Sequence, residues 1–448
     1  MKRIIPPLDT GFTPLFDVFN ALAAEAKAAA KTTRVKIACV RDGNDCDIFE
    51  MDFAAPMNDT AIRFCERVVK FMLWASGGHE IVLSAPEELT RRVKADYSPQ
   101  GSRAFDCGIM RLAYDRDLVV KSVAADNMPP PRTRALPLGR NLGGCRLGFD
   151  LGASDYKISA MRDGETVFAD EFPWTPVTAT DPDYHFKLLQ EGLKKAAAHL
   201  PRVDAIGGSS AGMIVENKIK SASLLRGLAE KDRAKGQRLF LRVQEAWGVP
   251  LEVANDGDVT ALAGAMSLNT TAILGIAMGS SEAGGYIDRQ GCLTGRLNEL
   301  AFAPVDFSPK APQDEWSKDF GVGANYFSQQ AVNRLAVPAG FRFGDDMPLP
   351  ERLKVVQAAM ASGDDWAAKI YKTIGVYLGY SLPWYRVFYD FDTALILGRV
   401  TSGPGGEIIV STAKQILQEL APNITLTMPD EKARRVGQCV AAASLPQF

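Results

Sequence analysis

An apolar strand that runs directly into a turn of small residues occurs twice in this chain. The first is Arg146–Leu151 followed by Gly152-Ala153-Ser154, with Asp150 at the strand end and Lys157 just beyond. The second is Thr271–Met278 followed by Gly279-Ser280-Ser281-Glu282-Ala283-Gly284-Gly285. Each turn opens a similar succession of short strands and amphipathic helices, and this repetition constrains the fold more than any other feature. After the first turn, Tyr156–Ala160 and Thr166–Phe172 read as strands. Tyr184–Leu200 then reads as a helix, with Phe186, Leu189, Leu193, Ala196 and Leu200 on one face. A strand at Val203–Gly207, a helix at Leu239–Trp247, a strand at Leu251–Ala254 and a helix at Val259–Ser267 complete the order βββαβαβα. The second half repeats the theme through Gly285–Ile287, Thr393–Gly398, Glu407–Leu420, Asn423–Met428 and Glu431–Ala443. The prediction is an α/β chain built from a duplicated unit.

A length of 448 residues leaves room beyond that duplication. Residues 1–140 predict an extra α+β segment. A helix lies within the first thirty residues, and a hairpin joins Arg34–Arg41 to Cys46–Phe53. A helix follows at Asn58–Ser76, then a strand at Glu80–Ser84 and a second hairpin at Ile109–Tyr114 and Leu118–Val123. Met128-Pro129-Pro130-Pro131-Arg132 breaks the pattern as a linker. The expected domains are therefore 1–140, 141–267 and 268–430, with 431–448 packing back on the first repeat.

The charge balance excludes several function classes. Lys and Arg total 51 against 53 Asp and Glu, a net charge of -2, so neither nucleic acid nor an anionic membrane is an expected partner. No secretory h-region or membrane-spanning run is present in the sequence. The seven cysteines are scattered and never form a CxxC, which predicts reduced thiols and a cytoplasmic protein. Its three histidines lack metal-ligand spacing to any cysteine, so no zinc is expected. A homodimer is the default assembly.

Glycine turns let backbone N–H groups approach an anion with no Cβ in the way. Gly152 and Ser154, with Lys157, form one candidate phosphate cradle, and Asp150 can hold Mg²⁺ through water. Gly279, Ser280, Ser281, Gly284 and Gly285 form a second, and five Gly or Ser in seven residues exceed what a hairpin turn needs. The plain alternative for both is a β-hairpin. Between them, Asn255-Asp256 follows an apolar strand and opens an Ala-rich helix. Asp256 is a candidate general base for a substrate hydroxyl. The plain alternative is a helix cap, and Asp258 can equally serve as that cap. Gly398, Gly405 and Gly406 lie on a strand-to-helix loop suited to an adenosine, or to nothing more than a surface turn.

These four motifs, in this order, resemble the ROK family of sugar kinases and repressors over roughly residues 146–448. The resemblance implies a ribonuclease-H-like, actin-like ATPase fold with two lobes. It implies an enzyme using ATP and Mg²⁺ to phosphorylate a sugar or polyol. It assigns Asp256 as the base and Asn255 and Glu299 as substrate ligands. Asp150, Gly152, Ser154, Lys157, Gly279, Ser280, Ser281, Gly284 and Gly285 meet phosphate, and Gly398, Gly405 and Gly406 the adenosine. Three departures stand out. Phe302 occupies the position of the family's histidine, Phe307–Asp319 replaces a cysteine-rich zinc loop, and Ser281 replaces a glycine. The rival readings are a sugar-responsive regulator and an inactive sugar-binding protein. A regulator of this family needs an N-terminal winged helix-turn-helix, and no basic recognition helix is evident.

Overall fold

The computed structural model describes residues 3–134, 138–152, 154–428 and 431–448, without the side chains of 431–436. Ala153 of the first turn lies outside the described residues. The chain divides into two compact units. One comprises Met1–Arg134, Ile276–Gly284 and Arg296–Met428; the other comprises Ala135–Gly275, Gly285–Gly295 and Pro429–Phe448.

The N-terminal segment carries α1 (Leu15–Ala28), β1 (Thr32–Val40), β2 (Cys46–Ala54), α2 (Asp59–Ala75), β3 (Glu80–Ser84), α3 (Glu87–Asp96), α4 (Ala104–Tyr114) and β4 (Val119–Ser122). Its sheet runs β2-β1-β3-β4, with β1 and β2 paired as the expected hairpin. Helix α2 starts where the Asn58 side chain accepts the Ala61 N–H at 2.8 Å. From Ala61 to Ala75 every residue but Arg63 is buried, so α2 is an interior helix. The expected strand at Ile109–Tyr114 is instead part of α4. Asp106, Met110, Ala113 and Tyr114 are buried together, a helical spacing that a short apolar run conceals when read as alternation.

The unit containing the first repeat follows the predicted order. It holds β5 (Cys145–Leu151), β6 (Asp155–Arg162), β7 (Glu165–Pro173), α5 (Tyr184–Ala197), β8 (Ala205–Ser210), β9 (Met213–Val215), β10 (Lys218–Ser221), α6 (Glu230–Gln237), α7 (Leu239–Trp247), β11 (Leu251–Asn255) and α8 (Asp256–Ser267). The main sheet is ordered β11-β8-β5-β6-β7. Strands β5, β8 and β11 are parallel, whereas β6 and β7 return antiparallel. Phe149, Ile158, Leu193, Phe240 and Val243 lie in its core. The C-terminal helix Glu431–Ala443 packs on β5, β8 and α8. Register partners Gly148 and Gly207 make that approach possible. A Cβ on Gly148 would lie 2.3 Å from Cys439 O, and one on Gly207 only 1.7 Å from Ala442 O.

The second repeat supplies β12 (Ile273–Met278), β13 (Glu282–Ile287), α9 (Gln329–Ala336), α10 (Leu349–Ala361), α11 (Asp365–Tyr385), β14 (Thr393–Leu397), α12 (Pro404–Leu420) and β15 (Thr425–Thr427). Its sheet runs β13-β12-β14-β15, and the chain passes from one unit to the other within β12 and again within β13. The third strand of the first repeat is reduced here to a single bridge, Ile287 to Leu293. Within its unit, α11 is joined to the N-terminal segment by aromatic packing. Trp384 sits 5.7 Å from Phe64 and 5.4 Å from Phe71, and Phe388 stacks on Phe71 at 4.3 Å.

The loop at 305–325 is organised by carboxylates. Asp306 accepts from Thr13 N, Ser308 N and the Tyr326 hydroxyl. Asp314 accepts from Trp316 N and from Ser317 N and Oγ. Asp319 is buried against three cations of the N-terminal segment: Arg67 at 2.8 Å, Lys70 at 3.2 Å and Arg103 at 2.6 Å. Glu66 balances Arg103 and Asp106 balances Lys70, so the buried network is neutral.

Candidate active site

In the first-repeat unit, Asp150 ends β5 and Asp256 opens α8. Asn255 is the cap of α8: its Oδ1 accepts the Gly257 N–H at 2.8 Å, and its Nδ2 donates to Gly212 O at 2.7 Å. Asp258 is not the cap; its carboxylate accepts the Tyr286 N–H at 3.2 Å. Asp256 therefore sits in the first turn, where its Oδ1 accepts its neighbour's N–H at 3.0 Å. Burial pushes the Asp256 carboxyl up to about 6, and the Asp150 charge adds to the shift. Asp150 is raised as well, first by burial, with the Ser209 hydroxyl and Lys157 opposing it. Asp150 is thus a desolvated carboxylate whose charge also raises Asp256, an arrangement that suits a divalent cation, which would offset the negative charge. Lys157 lies 3.5 Å from Asp150 and 3.1 Å from Asp155, so its charge is shared. The turn itself is closed by the Gly152 N–H bonding Asp155 O at 2.9 Å, and the exposed Ser154 hydroxyl bonds Asp155 Oδ2.

In the other unit, Gly279-Ser280-Ser281 forms the tip between β12 and β13. The Gly279 N–H donates to Ser281 O at 3.0 Å and the Gly279 carbonyl accepts from Gln329 N. Both serines are exposed. Glu282, next in sequence, is buried; Tyr385 donates to its Oε1 at 3.3 Å and its Oε2 has no hydrogen-bond partner among the described residues. A Cβ on Gly323 would lie 1.9 Å from that Oε2. Burial pushes the Glu282 carboxyl up to about 8, with the Tyr385 hydroxyl opposing. A raised carboxyl stabilises the fold below its unfolded value and loses that contribution as pH rises through its folded value. Glu282→Gln should thus match the wild type in melting temperature near pH 5 and exceed it by several degrees at pH 9. Parallel melting curves at both pH values check this.

The motif glycines separate into two groups once their surroundings are known. A Cβ would lie 2.9 Å from Asp155 O at Gly152, 2.6 Å from Asn298 O at Gly284 and 2.1 Å from Gly257 O at Gly285. It would lie 2.4 Å from Met278 O at Gly398, 2.5 Å from the Tyr371 ring at Gly405 and 2.0 Å from Thr401 O at Gly406. Each of these six has a packing reason, and only Gly398 among the seven adopts a positive φ, of 105°. Gly279 differs: its nearest neighbour would be Ser281 O at 3.5 Å, an ordinary contact.

Glu299 is placed by the N-terminal segment. Leu297, Asn298 and Glu299 donate their N–H groups to the carbonyls of Ser76, Ala75 and Trp74 at the end of α2. Phe302 packs at 4.4 Å from Trp74 and 5.5 Å from Phe105, so an aromatic cluster fills the position where the resemblance expects imidazole. No reading of the motifs alone had tied residues 1–134 to Glu299. The signal available in the sequence was Phe302 itself, whose partners only the fold reveals.

The duplicated βα order and the two sheets define the actin-like ATPase and sugar-kinase class of fold. Within that class, the structure is similar to a ROK hexokinase from Thermus thermophilus. The TM-score is 0.53 at 19% identity, over 66% of this chain and 97% of that one. It is also similar to a ROK family transcriptional regulator, a homologue of the E. coli MLC protein. There the TM-score is 0.54 at 19% identity, over 67% of this chain and 78% of that one. A ROK family protein from Streptococcus pneumoniae, solved with sucrose, gives 0.50 at 11% identity, over 66% and 96%. No protein-family model and no curated protein sequence matches the chain. The chain has the ROK fold, one that serves both kinases and a regulator.

Proposed function

We propose that this protein phosphorylates a hydroxyl of a sugar or polyol at the expense of ATP. The observation that carries the reading is Asp256, held at the first turn of α8 with its carboxyl raised to about 6. At neutral pH such a group is ionised yet more basic than an ordinary aspartate, as a general base requires. It takes the proton of the substrate hydroxyl as that oxygen attacks the terminal phosphorus of ATP. Asn255, with both ends of its carboxamide bonded, fixes the direction of Asp256. Glu299 orients the acceptor sugar. Ser154, Lys157, Ser280 and Ser281 supply polar groups for phosphate, and the Gly398–Gly406 loop receives the adenosine. Magnesium, when bound near Asp150, would neutralise charge developing on the phosphates.

A regulator or inactive binder is the second reading, favoured by Phe302. Against DNA binding stands α2, which has no exposed face to lay in a groove. The two readings separate on nucleotide. Millimolar Mg·ATP should raise the melting temperature by mass action, and a screen over sugars, amino sugars and polyols should show turnover of at least one. Gly279→Val should leave the unliganded melting temperature unchanged, because the site is open, and abolish the ATP shift. An absent shift and no turnover in the wild type would instead select the binding reading.

A further inference from the structure

A cavity of about 380 Å³ lies within the unit that joins the N-terminal segment to the second repeat. Its polar walls include Asp47, Ser76, Arg132 and Arg296, with Phe388 on the apolar side. Guanidinium groups outnumber carboxylates here. Asp47 takes Arg296 at 2.5 Å and also Arg41. Arg41 is buried, and its Nη2 has no hydrogen-bond partner among the described residues. Arg132 is held by its backbone, which exchanges hydrogen bonds with Cys46 at 2.7 and 2.9 Å. Its side chain is exposed, and no ion pair among the described residues engages it. The neighbouring Asp45 is already paired with Arg134 at 3.1 Å. Two guanidinium groups thus share the Asp47 carboxylate, and Arg132 adds a third beside them.

We propose that this cavity binds a small phosphorylated polyol. A doubly charged phosphate matches the excess positive charge, and guanidinium is suited to it through paired N–H donors. Thr133 on the same wall offers a hydroxyl to a sugar, and the volume suits a ligand of hexose size. Arg296 also donates to Phe388 O at 2.7 Å and begins the stretch whose next three residues pair with the end of α2. An anion that draws Arg296 from Asp47 therefore pulls on Leu297–Glu299. This second step, from the cavity to Glu299, rests on the proposed function; the binding step does not.

The test is calorimetric titration of the full chain with glucose 6-phosphate, inorganic phosphate and glucose, in the wild type and in Arg132→Gln. Arg132 is exposed and outside the proposed catalytic groups, so the variant should fold with an unchanged melting temperature. The expected result is binding of the sugar phosphate, weakened about tenfold in the variant by loss of one charge-assisted contact. Glucose should not bind at this site, and its affinity elsewhere should not change in the variant. Equal affinity of the two proteins for glucose 6-phosphate would overturn the site. So would absence of binding at about 10 mM, a concentration that would reveal even millimolar affinity. Inorganic phosphate binding as tightly as the sugar phosphate would overturn the polyol assignment.

Discussion

Asp256→Asn should lower the rate of phosphoryl transfer by about 10²–10⁴-fold, the contribution of a positioned proton acceptor. Asparagine keeps the size and the bond from the Gly257 N–H but cannot take the proton. Affinity for Mg·ATP should stay within a few-fold of the wild type, so the loss falls on kcat. The wild-type rate should fall as pH drops below about 6, when Asp256 becomes protonated, and the variant should lack that limb. Stability should move the opposite way. A carboxyl raised from 3.8 to about 6 costs the folded state at most about 3 kcal/mol once ionised. The variant should therefore melt at or above the wild-type temperature at pH 7. Steady-state kinetics from pH 5 to 8, with melting curves on the same samples, decide the matter. Turnover retained above a tenth of wild type would remove Asp256 from the role of base.

Asp319→Ala should destabilise its unit by about 3–5 kcal/mol, as expected when one partner of a buried ionic cluster is removed. Its carboxylate is held far below the usual range: burial alone would raise it, but Arg67, Lys70 and Arg103 overcome that. Removing it leaves three buried cations facing only Glu66 and Asp106. Because the folded value is depressed, the stabilisation is complete above the unfolded value near 4 and is lost only as pH falls well below it. Denaturant titration at pH 7 should show the loss in full. The same measurement at pH 3 should show a smaller gap, because the unfolded carboxyl is then largely protonated. A loss under about 1 kcal/mol, typical of an exposed pair, would show that the network does not hold the 305–325 loop to α2 and α4.

These two residues also mark how far the sequence could be read. The strand-to-helix setting of Asp256 was legible because its signal is local: an apolar strand, an Asn-Asp pair and an Ala-rich helix are neighbours in the chain. The cap was not, since the sequence offered Asp256 or Asp258 for it and the structure puts it at Asn255. The repeat was legible for a similar reason, since strand and helix periodicities are short-range properties. The strand expected at Ile109–Tyr114 failed because a run of six residues fits either period, and the burial of Asp106 with Met110 and Tyr114 settles it as a helix. Asp319 gave no signal at all, because its partners are more than two hundred residues away in sequence.

The glycines show where sequence and structure part. As letters, seven glycines in small-residue turns look like one feature, a backbone cleared for phosphate. In space, Gly284, Gly285, Gly398 and Gly405 clear the way for segments distant in sequence, such as the carbonyl of Asn298 or Gly257, Gly152 and Gly406 for their own turns, and Gly279 alone is open. The sequence by itself determined the repeated α/β order, the position of Asp256 and the absence of a histidine at 302, because these depend on residue type and near neighbours. The tertiary structure alone decided that Phe302 meets Trp74 and Phe105, that Glu299 hangs from the end of α2, and that Asp319 is the counter-charge of three distant cations. Burial, desolvation and close backbone approach arise only between segments brought together by folding, and no short-range pattern encodes them.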